Sequence, residues 1–218
     1  MGNKITVIHC NRGLAHQVAI ARHLRDGFGS MGIKSTISYK PNTSGDVHVV
    51  LGPWFALDQW RFANTLMIDR AYWGDPECVS IHWLKDGEKV RLRDMPYRHH
   101  PKLKKEKEGD RRIYLCDYHQ KPEGKFDTVR YHPAEVKGQC TLDQALDAHD
   151  IAIGRRSTAL VDAVFRGLRV ETGDPNSPVY GITSRRQWAR DLAWHNWSMQ
   201  EISSGVFLDA IGHPDITR

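Results

Sequence analysis

Cysteine is scarce and scattered. Cys10, Cys78, Cys116 and Cys140 form no CxxC pair, which argues against a zinc knuckle or a disulfide framework and fits a reducing, cytoplasmic setting. No apolar run reaches the roughly 18–20 residues that span a bilayer. Met1–Lys4 runs straight into a strand-like segment, without the charged and apolar regions of a secretory leader. We therefore expect no membrane span. Fixed short repeats and low-complexity tracts are also missing. Neither sign of charge dominates: 31 Lys and Arg against 26 Asp and Glu leave +5, which permits an anionic partner without requiring one. What is present is 218 residues at 40% hydrophobic, enough for one large domain or two small ones. Seven Trp and twelve His stand out; the aromatics suit stacking on sugars or bases and equally suit an ordinary core.

The amino-terminal half alternates. Lys4–His9 predicts a buried strand, and Val18, Ala21, Leu24 and Phe28 lie on one face of a helix over 15–31 that Gly32 stops. Strands follow at Lys34–Tyr39, Asp46–Leu51 and Thr65–Asp69, with a short helix over Trp54–Ala63. Such alternation predicts parallel βαβ packing. Val79–Leu84 and Lys89–Arg93 flank Asp86-Gly87, a hairpin signal.

Arg98–Arg112 carries seven Lys and Arg against three Asp and Glu and reads as an exposed linker. A second alternating unit follows: strands Arg112–Cys116, Phe126–Arg130, Asp150–Gly154 and Leu168–Glu171, a helix over Thr141–Ala148 with Gln144 at the capping-box position, and a helix over Ser157–Phe165 ended by Gly167. Ser184–Trp197 and Ser198–Ile211 predict two terminal helices. The fold class is α/β, with two small Rossmann-like halves: residues 1–97, a basic linker over 98–111, and residues 112–218 with the terminal helices. In open parallel sheets, ligands sit outside the carboxyl ends of the strands. Here those ends hold many of the unusual polar residues.

The strongest local signal is Asp150–Val170. A strand ends at Gly154, Arg155 and Arg156 supply positive charge, and Ser157-Thr158 open a helix, a pattern suited to phosphate. Asp162, one turn further on, suits a ribose hydroxyl. The same residues also suit a plain capped helix with solvated arginines. The histidines have no HExxH spacing and Asp174 stands alone, so no metal site is indicated. Cys10 has no visible activating partner and reads as inert.

Ile151–Gly154, Ser157-Thr158, Asp162 and Gly167-Leu-Arg-Val170, preceded by Val129-Arg-Tyr-His-Pro133 and Thr141–Leu146, resemble in order and spacing the carboxy-terminal half of glycosyltransferases of the GT-B architecture. The likeness covers roughly residues 112–182 and points to the capsule-polysaccharide and glycerophosphotransferase branches; each half here is shorter than in typical members. The resemblance implies a nucleotide-sugar donor held by this half. Arg130 and His132 would face the donor phosphates, Arg155, Arg156, Ser157 and Thr158 would bind the diphosphate, and Asp162 would bind ribose. It implies no cofactor beyond the donor as co-substrate.

Such an enzyme, if inverting, needs a base at the acceptor hydroxyl. Asp69, at a strand end beside Arg70 and Tyr72-Trp73, is the first candidate, with His16 and His9 as alternatives; an Asp there also suits a plain turn. Arg12, Arg70, Tyr72 and Trp73 are the candidate acceptor contacts. The basic, tryptophan-rich chain with its Trp194–Gly205 ending also resembles bacteriophage proteins. That implies transfer to hydroxymethylated pyrimidines of phage DNA, in the host cytoplasm, with a flipped base on Tyr72 or Trp73. A cell-envelope glycan acceptor, and a non-catalytic nucleotide- or DNA-binding protein of the same fold, are the alternatives.

Overall fold

A computed structural model describes residues 5–40, 44–51, 65–73, 78–85, 88–117, 122–131 and 138–212. The expected helix over Trp54–Ala63, the tip of the 79–93 hairpin and His132 lie outside these residues. The chain divides into two units, Met1–Arg98 with Asp191–Arg218, and His99–Arg190. It is α/β, with parallel strands and helices in each unit.

In the first unit, β-branched and aliphatic runs form β1 (Thr6–His9), β2 (Ser35–Ser38), β3 (Val47–Leu51) and β4 (Thr65–Arg70). These four pair in parallel in the order β2-β1-β3-β4. β5 (Val79–Lys85) joins β4 antiparallel, and β6 (Glu88–Lys89) pairs with β5 as the hairpin signal predicts, but β6 stops at Lys89 and the expected strand over Lys89–Arg93 does not form. One sheet face carries Ile8, Val49, Leu66, Ile68 and Ile81 into a core with α1 (Ala15–Ser30). α1 presents Ala21, Leu24 and Phe28, the expected face, and ends where Gly32 adopts φ +73°.

The other face of this sheet mixes histidines with aliphatic residues. The register places His9 beside Val50, Val50 beside Met67 and Met67 beside His82, with His48 one pair along between Val7 and Thr65. His9, His48 and His82 are all buried.

The second unit is a four-stranded, all-parallel sheet of β7 (Arg112–Leu115), β8 (Thr128–Arg130), β9 (Ile151–Gly154) and β10 (Arg169–Glu171), in the order β10-β9-β7-β8. α2 (Leu142–Asp147) begins with the expected capping box of Thr141 and Gln144, and α3 (Ala159–Phe165) ends at Gly167, φ +91°. Arg166 ties the two helices through Asp143 at 2.6 Å and Asp147 at 2.9 Å. His149 bridges α2 to β8: one ring nitrogen lies 2.6 Å from the Ala145 carbonyl, the other 2.8 Å from the Thr128 hydroxyl.

The basic segment after Arg98 has no regular structure, and most of it is exposed. Yet it is no free linker. Lys104 and Lys107 donate their N–H groups to the carbonyls of Phe165 and Gly167. The Lys107 ammonium donates to the carbonyls of Leu146, Asp147 and His149 at 3.0, 3.0 and 2.6 Å, placing a positive charge at the carboxyl end of α2. Its remaining cations stay in water, as the cost of burying charge requires.

The terminal segments depart from the sequence reading. Residues 191–212 belong with the first unit. Only α4 (Arg185–Ala193) forms from the first expected helix; Asn196 and Trp197 become β11, antiparallel to β5. The second expected helix breaks into α5 (Met199–Ser204) and α6 (Val206–Ile211) at Gly205, φ +80°. Phe207, Leu208 and Ile202 complete the first core, and α5 crosses α1 so closely that a Cβ on Gly27 would overlap the Ile202 carbonyl. Arg98 closes the same region, 3.7 Å from the Trp197 ring centre and 2.6 Å from the Glu201 carboxylate.

Candidate functional site

In the second unit, β7 is followed in sequence by β8 on one side and flanked by β9 on the other, so the chain reverses its direction of growth between β7 and β9. That is where open α/β sheets hold ligands. β7 and β9 approach closely there: a Cβ on Gly154 would stand 2.8 Å from the Leu115 carbonyl oxygen. Beyond this point the strand-end segments carry Asp117 after β7, Arg155 and Arg156 after β9, and Thr172 and Asp174 after β10.

These groups are joined. The Arg156 backbone N–H donates to Asp117 Oδ2 at 3.0 Å. Its Nε donates to Asp174 Oδ2 at 2.7 Å, and Arg155 Nη2 lies 3.5 Å from the same oxygen. The Thr172 hydroxyl donates to the Arg155 carbonyl at 3.1 Å. Burial pushes the Asp117 carboxyl up, against the pull of the Arg156 N–H and both guanidinium groups. Burial also acts on Asp174, but the Arg156 hydrogen bond, the Asn176 N–H and both arginine charges outweigh it and hold that carboxyl below its usual range. The result is a pair of cations, open to water on one side and held by carboxylates on the other.

The other expected donor residues are placed as follows. Ser157 Oγ accepts from the Ala159 N–H at 3.3 Å, a local cap; Thr158 makes no side-chain cap, and α3 starts at Ala159. Arg130 ends β8 at the same edge of the sheet, its guanidinium donating to the Cys140 carbonyl. Asp162 has different neighbours: burial raises its carboxyl to about 6, Arg166 opposes this and Asp143 adds to it. Its electrostatic neighbours are thus the α2-facing charges. A cavity of about 510 Å³ in this unit lies along β10, lined by residues such as Val170, Val179 and Ile182, and shares only Thr172 with the arginine cluster.

In the first unit, Asp69 lies near the end of β4. Its Oδ1 accepts from the Arg70 N–H at 2.8 Å, and its Oδ2 is 3.6 Å from the Lys89 ammonium. Arg70 is exposed, whereas Tyr72 is buried, so its ring belongs to the packing of this unit. The Tyr72 hydroxyl lies 2.7 Å from His82 Nε2. Burial first, then Asp69, pushes the phenol up, while burial and the neighbouring His195 push His82 well down. Both are therefore neutral near pH 7. Trp73 is half-buried, and its carbonyl accepts from Asn196. Arg12 is exposed and sits 5.9 Å from the Tyr39 ring centre; His16 is exposed.

His9 and His48 stack at 5.4 Å with nitrogens 3.1 Å apart, and His82 stacks on His195 at 4.1 Å. Burial, then His48, lowers His9 to about 4, and burial lowers His195 to about 4. Burial also pushes the Cys10 thiol up, which leaves it a poor nucleophile. Among the described residues no group of three or more His, Cys, Asp or Glu is placed to hold a metal.

Asp117 and Asp174 were not read as site residues from sequence. Each is a lone Asp after a strand, and the signal that could have singled them out is their position at consecutive strand ends of one parallel sheet. No helix among the described residues is long and apolar enough to cross a membrane. No protein-family model, curated protein or solved structure matches the chain.

Proposed function

We propose that the chain is a nucleotide-sugar-dependent glycosyltransferase whose second unit holds the donor. The observation that carries this reading is the Arg155–Arg156 pair at the reversal point between β7 and β9, with Arg130 at the end of the neighbouring strand β8. Preorganised guanidinium groups stabilise the negative charge that develops on a departing nucleoside diphosphate. Ser157 and Thr158 adjoin the pair and offer hydroxyl donors. Asp69 of the first unit takes the acceptor proton, and its exposure of about a third at a strand end supports that role. The acceptor is a hydroxymethylated pyrimidine of phage DNA or a cell-envelope glycan.

Transfer assays with a panel of nucleotide-sugars, against hydroxymethylated DNA and against oligosaccharides, test the reading. Release of nucleoside diphosphate that depends on one acceptor class supports it; no release and no thermal stabilisation by any donor removes it. A donor at about 100 times its Kd stabilises the fold by about 2.7 kcal/mol, well within reach of a thermal-shift screen. The pairing of Asp69 with Lys89 and the burial of Tyr72 favour a second reading, a nucleotide-binding protein without transfer. Stabilisation by nucleotides with no turnover on any acceptor selects it.

A further inference from the structure

Two adjacent arginines repel one another, and on a surface loop each samples many rotamers. Asp174 counters both effects. It is 7% exposed although it carries a charge. Its Oδ2 is shared by Arg156 Nε at 2.7 Å and Arg155 Nη2 at 3.5 Å, and its Oδ1 accepts from the Asn176 N–H at 3.0 Å. Its own N–H donates to Thr172 Oγ1 at 3.2 Å, the Thr172 hydroxyl donates to the Arg155 carbonyl, and the Ser177 N–H donates to the Asp174 carbonyl. The carboxylate is thus held at both oxygens, and its loop is tied to the loop that carries the arginines.

The arginines are not used up by this contact. Their side chains remain 60% and 49% exposed. Asp174 takes only the Nε edge of Arg156 and one Nη of Arg155, so most of the five N–H donors of each guanidinium face water.

We propose that Asp174 is a positioning residue: a buried counterion that holds Arg155 and Arg156 as a two-pronged clamp for a diphosphate group. The proposal rests on the donor-site reading above. Asp117 lies on the same edge and adds negative charge, which favours a ligand that engages both cations. Two linked phosphates offer each guanidinium its own acceptor oxygens and carry more charge than a single phosphate.

Titration calorimetry on the full chain with inorganic pyrophosphate and with inorganic phosphate tests it. Simple Coulomb attraction says that removing a carboxylate beside an anion site tightens anion binding. A positioning role says the reverse: Asp174→Asn weakens pyrophosphate binding about tenfold, the scale of a charged hydrogen-bond network lost. Arg156→Lys keeps the charge but loses the edge that Asp174 grips, and weakens binding comparably. The double variant is then no weaker than the worse single one, because both changes undo one contact. Tighter or unchanged binding by folded Asp174→Asn overturns the positioning role and leaves the donor-site reading standing. Failure of the wild-type chain to bind pyrophosphate overturns the clamp, and the donor panel described above decides the donor-site reading. Equal affinity for phosphate and pyrophosphate overturns the diphosphate assignment. Should Asp174→Asn not fold, Thr172→Val removes one tie between the loops and keeps every charge; unchanged binding in it and in Arg156→Lys overturns the proposal.

Discussion

In residues 1–98 with 191–218 the parallel strands run in the order β2-β1-β3-β4, and in residues 99–190 in the order β8-β7-β9-β10. Each unit starts at an inner strand, adds its second strand on one side and its third and fourth on the other. The two differ in where their polar groups lie. The first buries histidines on a sheet face, in stacks that stay neutral because burial disfavours the imidazolium. The second leaves arginines at the strand ends, where water keeps their charge affordable and a ligand can reach them. Burial on a sheet face favours the neutral form of a histidine; a solvated strand end can keep a charge.

The largest expected effect separates catalysis from binding. Asp69→Asn keeps shape and removes the proposed base, so turnover should fall by roughly 10²–10⁴-fold, while donor affinity, proposed to lie with the second unit, should stay as it is. Single-turnover rates alongside donor titrations check both halves of that statement. A normal rate returns Asp69 to a plain strand-end residue and moves the search to His16.

Acid should part the two units next. Unfolded histidine titrates near 6.5, whereas His9 and His195 fold with values of about 4. Between these values the unfolded chain binds more protons, so stability of the first unit is intact above pH 6.5 and declines as pH falls toward 4. Each histidine contributes on the order of 1–3 kcal/mol to that decline. Asp162 works in the opposite sense. Its folded value of about 6 lies above the usual 3.8, so the folded state binds more protons and its cost is relieved as pH falls from 6 to 4. Amide exchange at pH 7 and pH 5, corrected for intrinsic rates, should show protection lost first in β1, β3 and β5. Uniform loss across both sheets would erase the contrast.

Packing gives a third test of comparable or smaller size. Gly27→Ala drives a methyl into the Ile202 carbonyl where α1 and α5 cross and should destabilise the first unit by roughly 1–3 kcal/mol. Denaturation followed by exchange should leave β7–β10 unaffected. The smallest effect concerns the basic segment. Lys107→Met keeps the aliphatic stem and removes the ammonium from three carbonyls, at a cost of about 1–2 kcal/mol. Faster exchange at the Lys104 and Lys107 amides reports the loosened strap; unchanged exchange makes the segment the plain linker that its composition suggests.

Much of each unit was legible because its signals are local. Alternating apolar runs separated by helical spacing predict β1–β4 and β7–β10, and Thr141 with Gln144 fixes the start of α2 within four residues of chain. The terminal segment after α4 was not legible in the same way. Asn196-Trp197 is too short and too polar to read as a strand, and it becomes one only because β5 offers an open edge. Gly205 looks like a tolerated helix glycine until its left-handed backbone and the closeness of Gly27 and Ser30 show that the helix must break there.

The sequence by itself determined the α/β class and the Thr141 and Ser198 caps that start α2 and α5, since each depends on residues a few positions apart. Tertiary structure alone decided which unit the last helices join, that Tyr72 faces His82 and not solvent, and that the charged segment is strapped down. It also decided that Asp117 and Asp174 meet Arg156. Those residues stand 39 and 18 positions from Arg156, and only the parallel sheet, by setting β7, β9 and β10 side by side with all their carboxyl ends at one edge, brings them within hydrogen-bonding distance.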